Sequence, residues 1–211
     1  MLLSAPVVAA PTGAPAAPLG TVLAADNAHA GVNTVYAGAT VYDGDRFATQ
    51  DDGTMRLRLG TGQLVLHEGT SIKAHAFPNG FSADLDNGTV SASSLEGQTF
   101  QLLVNGITIR PAGSHPTAAQ IARVSSTEAI LISTRGDLQV TLDDEVKTVS
   151  AGASYKLEVE SPDNSSSSDQ KQKGPIAPGR NRHGLLIIVI AAAAIGAGFG
   201  MFRALQSPMA P

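Results

Sequence analysis

Gly38 to Ile72, GATVYDGDRFATQDDGTMRLRLGTGQLVLHEGTSI, is the stretch whose pattern decides what kind of fold this chain adopts. In Thr54-Met55-Arg56-Leu57-Arg58-Leu59 every second residue is apolar. An extended strand therefore puts Met55, Leu57 and Leu59 on one face and Thr54, Arg56 and Arg58 on the other, the mark of a strand buried on one side only. Asp51-Asp52-Gly53 before it and Gly60-Thr61-Gly62 after it supply residues that tolerate the positive φ angles of tight turns. The next run, Leu64-Val65-Leu66, is expected to return antiparallel beside the first.

The same grammar continues along the chain. Turn dipeptides recur at Asp52-Gly53, Thr61-Gly62, Glu68-Gly69, Asn79-Gly80, Asn87-Gly88, Glu96-Gly97, Asn105-Gly106, Ala112-Gly113, Gly136-Asp137, Asp144-Glu145 and Ala151-Gly152. Their spacing suits short successive strands in a sandwich, a barrel or a β-helix-like coil. Phe100 to Val104, Asn105-Gly106 and Ile107 to Ile109 form the clearest hairpin. Leu138, Val140 and Leu142 alternate with polar neighbours, as do Tyr155, Leu157 and Val159. About twelve strands are expected by this count. Thr117 to Val124 fits a short helix or a strand.

Composition agrees with an all-β class. Of 211 residues only 4% are aromatic and 15% charged, with 22 Gly and 12 Pro, a profile of short strands and many turns. Net charge is -4, but residues 31–160 carry 9 basic against 15 acidic side chains while residues 161–211 carry 5 against 2. An acidic body argues against a nucleic-acid partner. With no cysteine, neither disulfides nor thiolate chemistry is available.

The two ends differ from the middle. Met1 to Ala25 has no charged side chain and is rich in Ala and Pro; residues 1–18 resemble the tail of a secretory signal, with a disordered Ala/Pro arm as the other account. Residues 161–183, with Ser165 to Ser168, Lys171, Lys173, Pro175 and Pro178, are too polar to bury a core and are expected to form a disordered tether spanning roughly 25–30 Å as a coil. Residues 184–202, GLLIIVIAAAAIGAGFGMF, are uncharged between Arg182 and Arg203. As a helix this run is about 28 Å long, enough to cross a bilayer. Ala192, Gly196 and Gly200 lie four apart on it, a small-residue stripe suited to helix-mediated self-association. A nine-residue tail, 203–211, follows. Lys171, Lys173, Arg180 and Arg182 precede the helix and Arg203 alone follows it; basic-residue counting would keep the body cytoplasmic, whereas a genuine export signal overrides that count.

Gly38, Gly44-Asp45, Thr49, the strand Met55 to Leu59, the turn Gly60 to Gly62 and the strand Leu64 to Leu66 follow one another as in the FecR-like domain, the extracytoplasmic module of ferric-citrate-type regulators, and the segment resembles the core of that domain. The likeness extends to LDNGTVSAS (Leu85 to Ser93), ISTRGDLQVT (Ile132 to Thr141) and VSAGASYKLEV (Val149 to Val159), and covers residues 19–160. Two features depart from the family. Its Arg-Gly-Thr step has no counterpart, since Ile107 to Ala112 reads ITIRPA, and its membrane helix precedes the domain rather than following it. The resemblance implies a FecR-like β-sandwich or β-helix-like domain, inner-membrane-tethered and periplasmic, that senses, binds or scaffolds.

No catalytic, cofactor or metal site is expected. The five histidines, His29, His67, His75, His115 and His183, share no ligand spacing, although His67 and His75 would meet across a hairpin. Asp43 with Asp45, Asp51-Asp52, and Asp84 with Asp86 suit solvated turns better than a Ca²⁺ loop. The expected function is a non-enzymatic envelope domain that contacts lipid through residues 184–202 and binds a protein or glycan partner. The alternative is a tail-anchored signalling adaptor whose β-domain faces the cytoplasm.

Overall fold

The computed structural model describes residues 17–160 and 184–192. The regular elements among them are all strands. In chain order they are β1 (Pro18–Ala30), β2 (Asn33–Thr34), β3 (Thr40–Tyr42), β4 (Arg46–Leu59), β5 (Gly62–Leu66), β6 (Ser71–Phe77), β7 (Gly80–Ser94) and β8 (Thr99–Val104). They continue with β9 (Ile107–Pro111), β10 (Thr117–Arg123), β11 (Glu128–Arg135), β12 (Leu138–Leu142), β13 (Glu145–Val149), β14 (Ala153–Glu160) and β15 (Gly184–Ala192). The count exceeds the expected twelve because β2 and β3 are too short to show a pattern, and because β1 and β15 lack polar alternation.

Alternation sets which face each strand buries. Met55, Leu57 and Leu59 are fully buried while Arg56 and Arg58 are exposed, and β8, β9, β10 and β12 repeat the pattern. A strand with one apolar face needs a second apolar face to cover it, and here the network folds into two layers that cover each other. β13, β12, β9, β8, the first half of β7, β6 and the start of β4 make the first layer. β14, β11, β10, the second half of β7, β5, the second half of β4 and much of β1 make the second. Among the described residues β7 and β8 alone pair in parallel. Phe47, Phe81, Phe100, Leu102 and Ile109 from the first layer share one core with Leu57, Leu64, Val90, Ile121 and Leu131 from the second. A Cβ on Gly62 of the second layer would fall 2.7 Å from the Phe81 ring of the first, and Phe81 in turn stacks on Phe100 at 6.2 Å.

β4 and β7 each run through both layers, so the two halves of the sandwich share backbone. β4 pairs with β6 through Arg46 to Ala48 and with β5 through Met55 to Leu59. β7 pairs with β6 through Gly80 to Asn87 and with β5 through Val90 to Ser93. Two positions expected as turns are therefore bends within long strands. Gly53 lies inside β4, where a Cβ would collide with the Asn27 carbonyl, so glycine serves a close approach of β1 rather than a reversal. Gly88 lies inside β7 at φ +84, and a Cβ there would sit 2.5 Å from Thr70 Oγ1 and 2.6 Å from Thr70 Cα. The bend carries the strand from one layer to the other.

At that corner the connection from β5 to β6 is held between the two bent strands by buried threonines. Thr70 N–H donates to Thr49 Oγ1 at 2.9 Å, and Thr49 Oγ1 donates to the His67 carbonyl at 2.5 Å. Thr89 N–H donates to Thr70 Oγ1 at 3.0 Å, and Thr70 Oγ1 donates to the Thr89 carbonyl at 2.9 Å. Thr49 is 7% and Thr70 1% exposed, so these hydroxyls serve backbone groups that water does not reach.

Other expectations hold. β4 and β5 form the hairpin read from the sequence, with Leu59 opposite Gly62 and Gly60 at φ +61. β8 and β9 close with Val104 opposite Ile107 over Asn105 (φ 51) and Gly106 (φ 79), a primed turn whose twist matches its strands. Thr117–Arg123 is a strand. Gly184–Ala192, the first half of the expected membrane helix, is instead extended. It pairs antiparallel with β14 from Glu160 opposite Gly184 to Ala153 opposite Ala192. Ile187, Ile188, Val189 and Ile190 are β-branched and suit a strand, and the outer edge of β14 offers a row of amides to pair. Residues 193–202 of that helix, residues 1–16 of the expected signal-like segment 1–18, the tether over 161–183 and the tail over 203–211 lie outside the described residues, and Pro18 opens β1.

Thr70→Val should lower unfolding free energy by about 1–3 kcal/mol, because the Thr89 amide and carbonyl lose their buried partner, and Thr70→Ser should recover most of it. Urea unfolding followed by tryptophan-independent far-UV circular dichroism measures both; equal losses would exclude the hydroxyl as the cause. Gly88→Ala should cost more than Gly97→Ala by about 1–3 kcal/mol. Both glycines have positive φ, but nothing lies within 4 Å of a Cβ at Gly97, and the same unfolding measurement ranks the two.

Candidate functional site

The residues of the second layer that point away from the core line up across strands. Antiparallel register sets Arg58 opposite Gln63, Gln63 opposite Ser93, Ser93 opposite Ala118 and Ala118 opposite Arg135. A second row sets Arg56 opposite Val65, then Ser91, Gln120 and Ile132. The outer face thus carries hydroxyls and amides between arginines that stand on strands remote in sequence.

These arginines differ from the rest. Arg46 pairs with Asp86 at 3.7 Å, Arg110 Nε donates to Gln139 at 3.0 Å, and Arg123 donates to the Asp86 carbonyl. Arg56, Arg58 and Arg135 are exposed and, among the described residues, make no ion pair or side-chain hydrogen bond. At the far end of the same face Lys156 is neutralised, with Glu158 at 2.6 Å and Glu128 at 3.3 Å. Its hydrogen bonds to Glu158 and Glu128 raise its pKa. A strip that stays cationic runs across an otherwise acidic body.

A shallow cavity of about 280 Å³ opens on this strip, bordered by Gln63, Ser93, Ser94, Leu95, Ala118 and Arg135. Ser94 is 4% exposed, and its Oγ has no hydrogen-bond partner. A second hollow of about 350 Å³, lined by Ala112, Gly113, His115, Thr117, Gly136 and Asp137, lies next to it across Thr117.

Several other titratable groups have structural partners. His67 and His75 do not meet. His67 Nε2 lies 2.9 Å from Ser91 Oγ on the second layer, and burial lowers its pKa, opposed in part by the Glu68 charge. His75 stands between Asp43 (3.4 Å) and Asp84 (3.8 Å). Asp43 accepts from the Ala76 amide at 2.8 Å, and that bond, with the nearby His75 and Lys73, holds its carboxyl below the usual range against the opposing effect of desolvation. His29 meets Gln50 at 3.0 Å. Of the remaining acidic turns, Asp45 accepts from the Tyr42 amide, Asp52 from Asn27, and Asp86 faces Arg46. Among the described residues no three His, Cys, Asp or Glu side chains are grouped to hold a metal ion. No helix among them is long and apolar enough to cross a membrane. Of the stripe Ala192, Gly196 and Gly200, Ala192 ends β15 and the two glycines lie outside the described residues.

Neither a protein-family model nor a curated protein matches the chain.

Sequence reasoning found Arg56 and Arg58 as the polar side of one strand but did not join them to Arg135, Gln63 and Ser93. The only signal available was the unpaired charge on alternating strands, which acquires meaning once strand order is known.

Because burial depresses the His67 pKa, the unfolded chain takes up a proton at a pH where the folded ring is still neutral. Stability is then full above about 6.5, falls as pH drops through that value, and levels off below the folded-state pKa. Between about pH 7.5 and 5.5, wild type should lose more unfolding free energy than His67→Gln. Parallel loss in the two proteins would remove His67 as the source.

Proposed function

We propose that this chain is a non-enzymatic FecR-like envelope domain, tethered to the inner membrane through residues 184–202 with its β-body in the periplasm, that binds a protein or glycan partner. The observation that carries this reading is the uncharged run from Gly184 to Phe202 placed behind a polar linker and an all-β body. The order of the FecR-like motifs along residues 19–160 supports the family.

The extended state of Gly184–Ala192 is compatible with a membrane role on physical grounds. In water the β14 edge satisfies the backbone amides of this apolar segment; in hydrocarbon, with no such edge available, the same residues must close their hydrogen bonds within a helix. The body carries a strip of arginines that have no acidic partner among the described residues, a surface suited to binding an anionic partner.

The tail-anchored adaptor remains the second reading, favoured by Lys171, Lys173, Arg180 and Arg182 ahead of the apolar run. Protease treatment of intact spheroplasts separates the two. The proposal expects the β-body to be digested from outside while the apolar run stays with the membrane, and it expects a chain truncated after Glu160 to leave the membrane fraction. Full-length protein recovered without detergent in the aqueous fraction would overturn the tether, and a body protected until lysis would favour the cytoplasmic arrangement.

A further inference from the structure

We propose that the outer face of the second layer binds a linear carboxylate-bearing polysaccharide, laid across the strands from Arg58 to Arg135 with Gln63 and Ser93 beneath it. This names the partner of the envelope reading and rests on that reading for where the glycan is met, not for the surface itself.

Arg58 and Arg135 end a row that crosses β4, β5, β7, β10 and β11, four strand spacings or roughly 19 Å. Arg56 stands beside Arg58, two residues and roughly 7 Å along the same strand. The three guanidinium groups have no carboxylate of their own, although acidic side chains outnumber basic ones in the body. A planar, five-donor guanidinium matches a carboxylate in bidentate fashion, so the row offers two carboxylate positions separated by a stretch that accepts and donates hydrogen bonds.

The chemistry between the arginines selects the kind of anion. Gln63, Ser93 and Gln120 present two amides and a hydroxyl on the outer face. A hydroxyl-rich chain satisfies such groups. A peptide has no comparable way to bind here. Strand addition needs a free edge, and β4, β5, β10, β11 and the second half of β7 are paired on both sides. Helix docking needs an apolar groove, whereas the face offers Val65 and Ile132, both partly covered, and Leu95 at the cavity rim. No aromatic residue stands in either row to stack on a neutral sugar, so the carboxylates are required rather than incidental.

The test uses the full chain in detergent micelles and polygalacturonate as the probe, with neutral dextran and poly-glutamate as comparators. Binding of polygalacturonate, and weakening of roughly tenfold or more in the Arg58→Gln/Arg135→Gln double variant, are expected. Arg46→Gln, which removes a paired arginine outside the rows, should leave binding unchanged. The exposed, unpartnered positions of Arg58 and Arg135 make both variants foldable, and a circular-dichroism melt checks this; Arg135→Gln alone should shift binding in the same direction. No binding of polygalacturonate, or undiminished binding by the double variant, would overturn the proposal. Equal binding of poly-glutamate would reassign the face to acidic proteins, and equal binding of dextran would remove the carboxylate from recognition. Micelle binding is read apart from membrane partitioning, so failure of the glycan and failure of the tether give different results.

Discussion

The hydroxyls of Thr49 and Thr70, the first taking the Thr70 amide and donating to the His67 carbonyl and the second bonded to the Thr89 amide and carbonyl, hold the corner on which the rest of the sandwich depends. A strand that leaves one layer for the other must interrupt its ladder, and the interrupted amides and carbonyls are then buried. Here the connection from β5 to β6 passes between β4 and β7 at that point, and two threonine side chains take over the bonds that regular pairing cannot make. Gly88 lets β7 turn without a side chain striking Thr70. With the corner fixed, both halves of β4 and β7 are fixed, and with them the register of β5 and β6.

From that register the outer surface follows. Since a one-residue slip moves every side chain to the other face, the same hydrogen bonds that bury Leu57 and Leu64 place Arg58 and Gln63 outward, while Arg135, an even number of residues from buried Leu131 and Ser133, is exposed where the β10–β11 register shifts between Ala118 and Ala119. Strand register thus decides which residues share the surface row, and their side-chain chemistry decides its charge. Three arginines without partners on an acidic body are electrostatically unusual, because free carboxylates were available to pair with them and do so elsewhere, as with Arg46 and Lys156. That contrast gives the envelope-binding proposal its surface.

Histidine and aspartate at the other positions have structural work that composition does not disclose. His75 bridges Asp43 and Asp84 across the β3–β4 turn and the β6–β7 pair, and Asp43 caps the Ala76 amide. Asn105 reaches from the β8–β9 turn to the Ser125 carbonyl at 2.9 Å, linking one layer to the other. Tyr155 does the same locally, its hydroxyl donating to the Ser150 carbonyl at 3.0 Å. The contacts of His75, Asp43 and Asn105 join segments that lie far apart in the chain, which is why residue spacing alone offered only loose metal or turn readings.

The amino-acid order by itself determined the strand class, the inward faces and the hairpins β4–β5 and β8–β9, because alternation and positive-φ turn residues act over a few neighbours. It could not distinguish Gly53 and Gly88 from ordinary turn glycines, since what sets them apart is the close approach of Asn27 and Thr70 from other strands. Nor did it assign Gly184–Ala192 to an edge, as an apolar β-branched run meets its hydrogen-bonding needs equally well as a strand in water or a helix in lipid. Tertiary structure alone decided that β4 and β7 belong to both layers, that β7 and β8 run parallel, and that Arg58 and Arg135 share one row. Each of these is a pairing between distant segments, and only the closing of a common core selects among the pairings that local pattern permits.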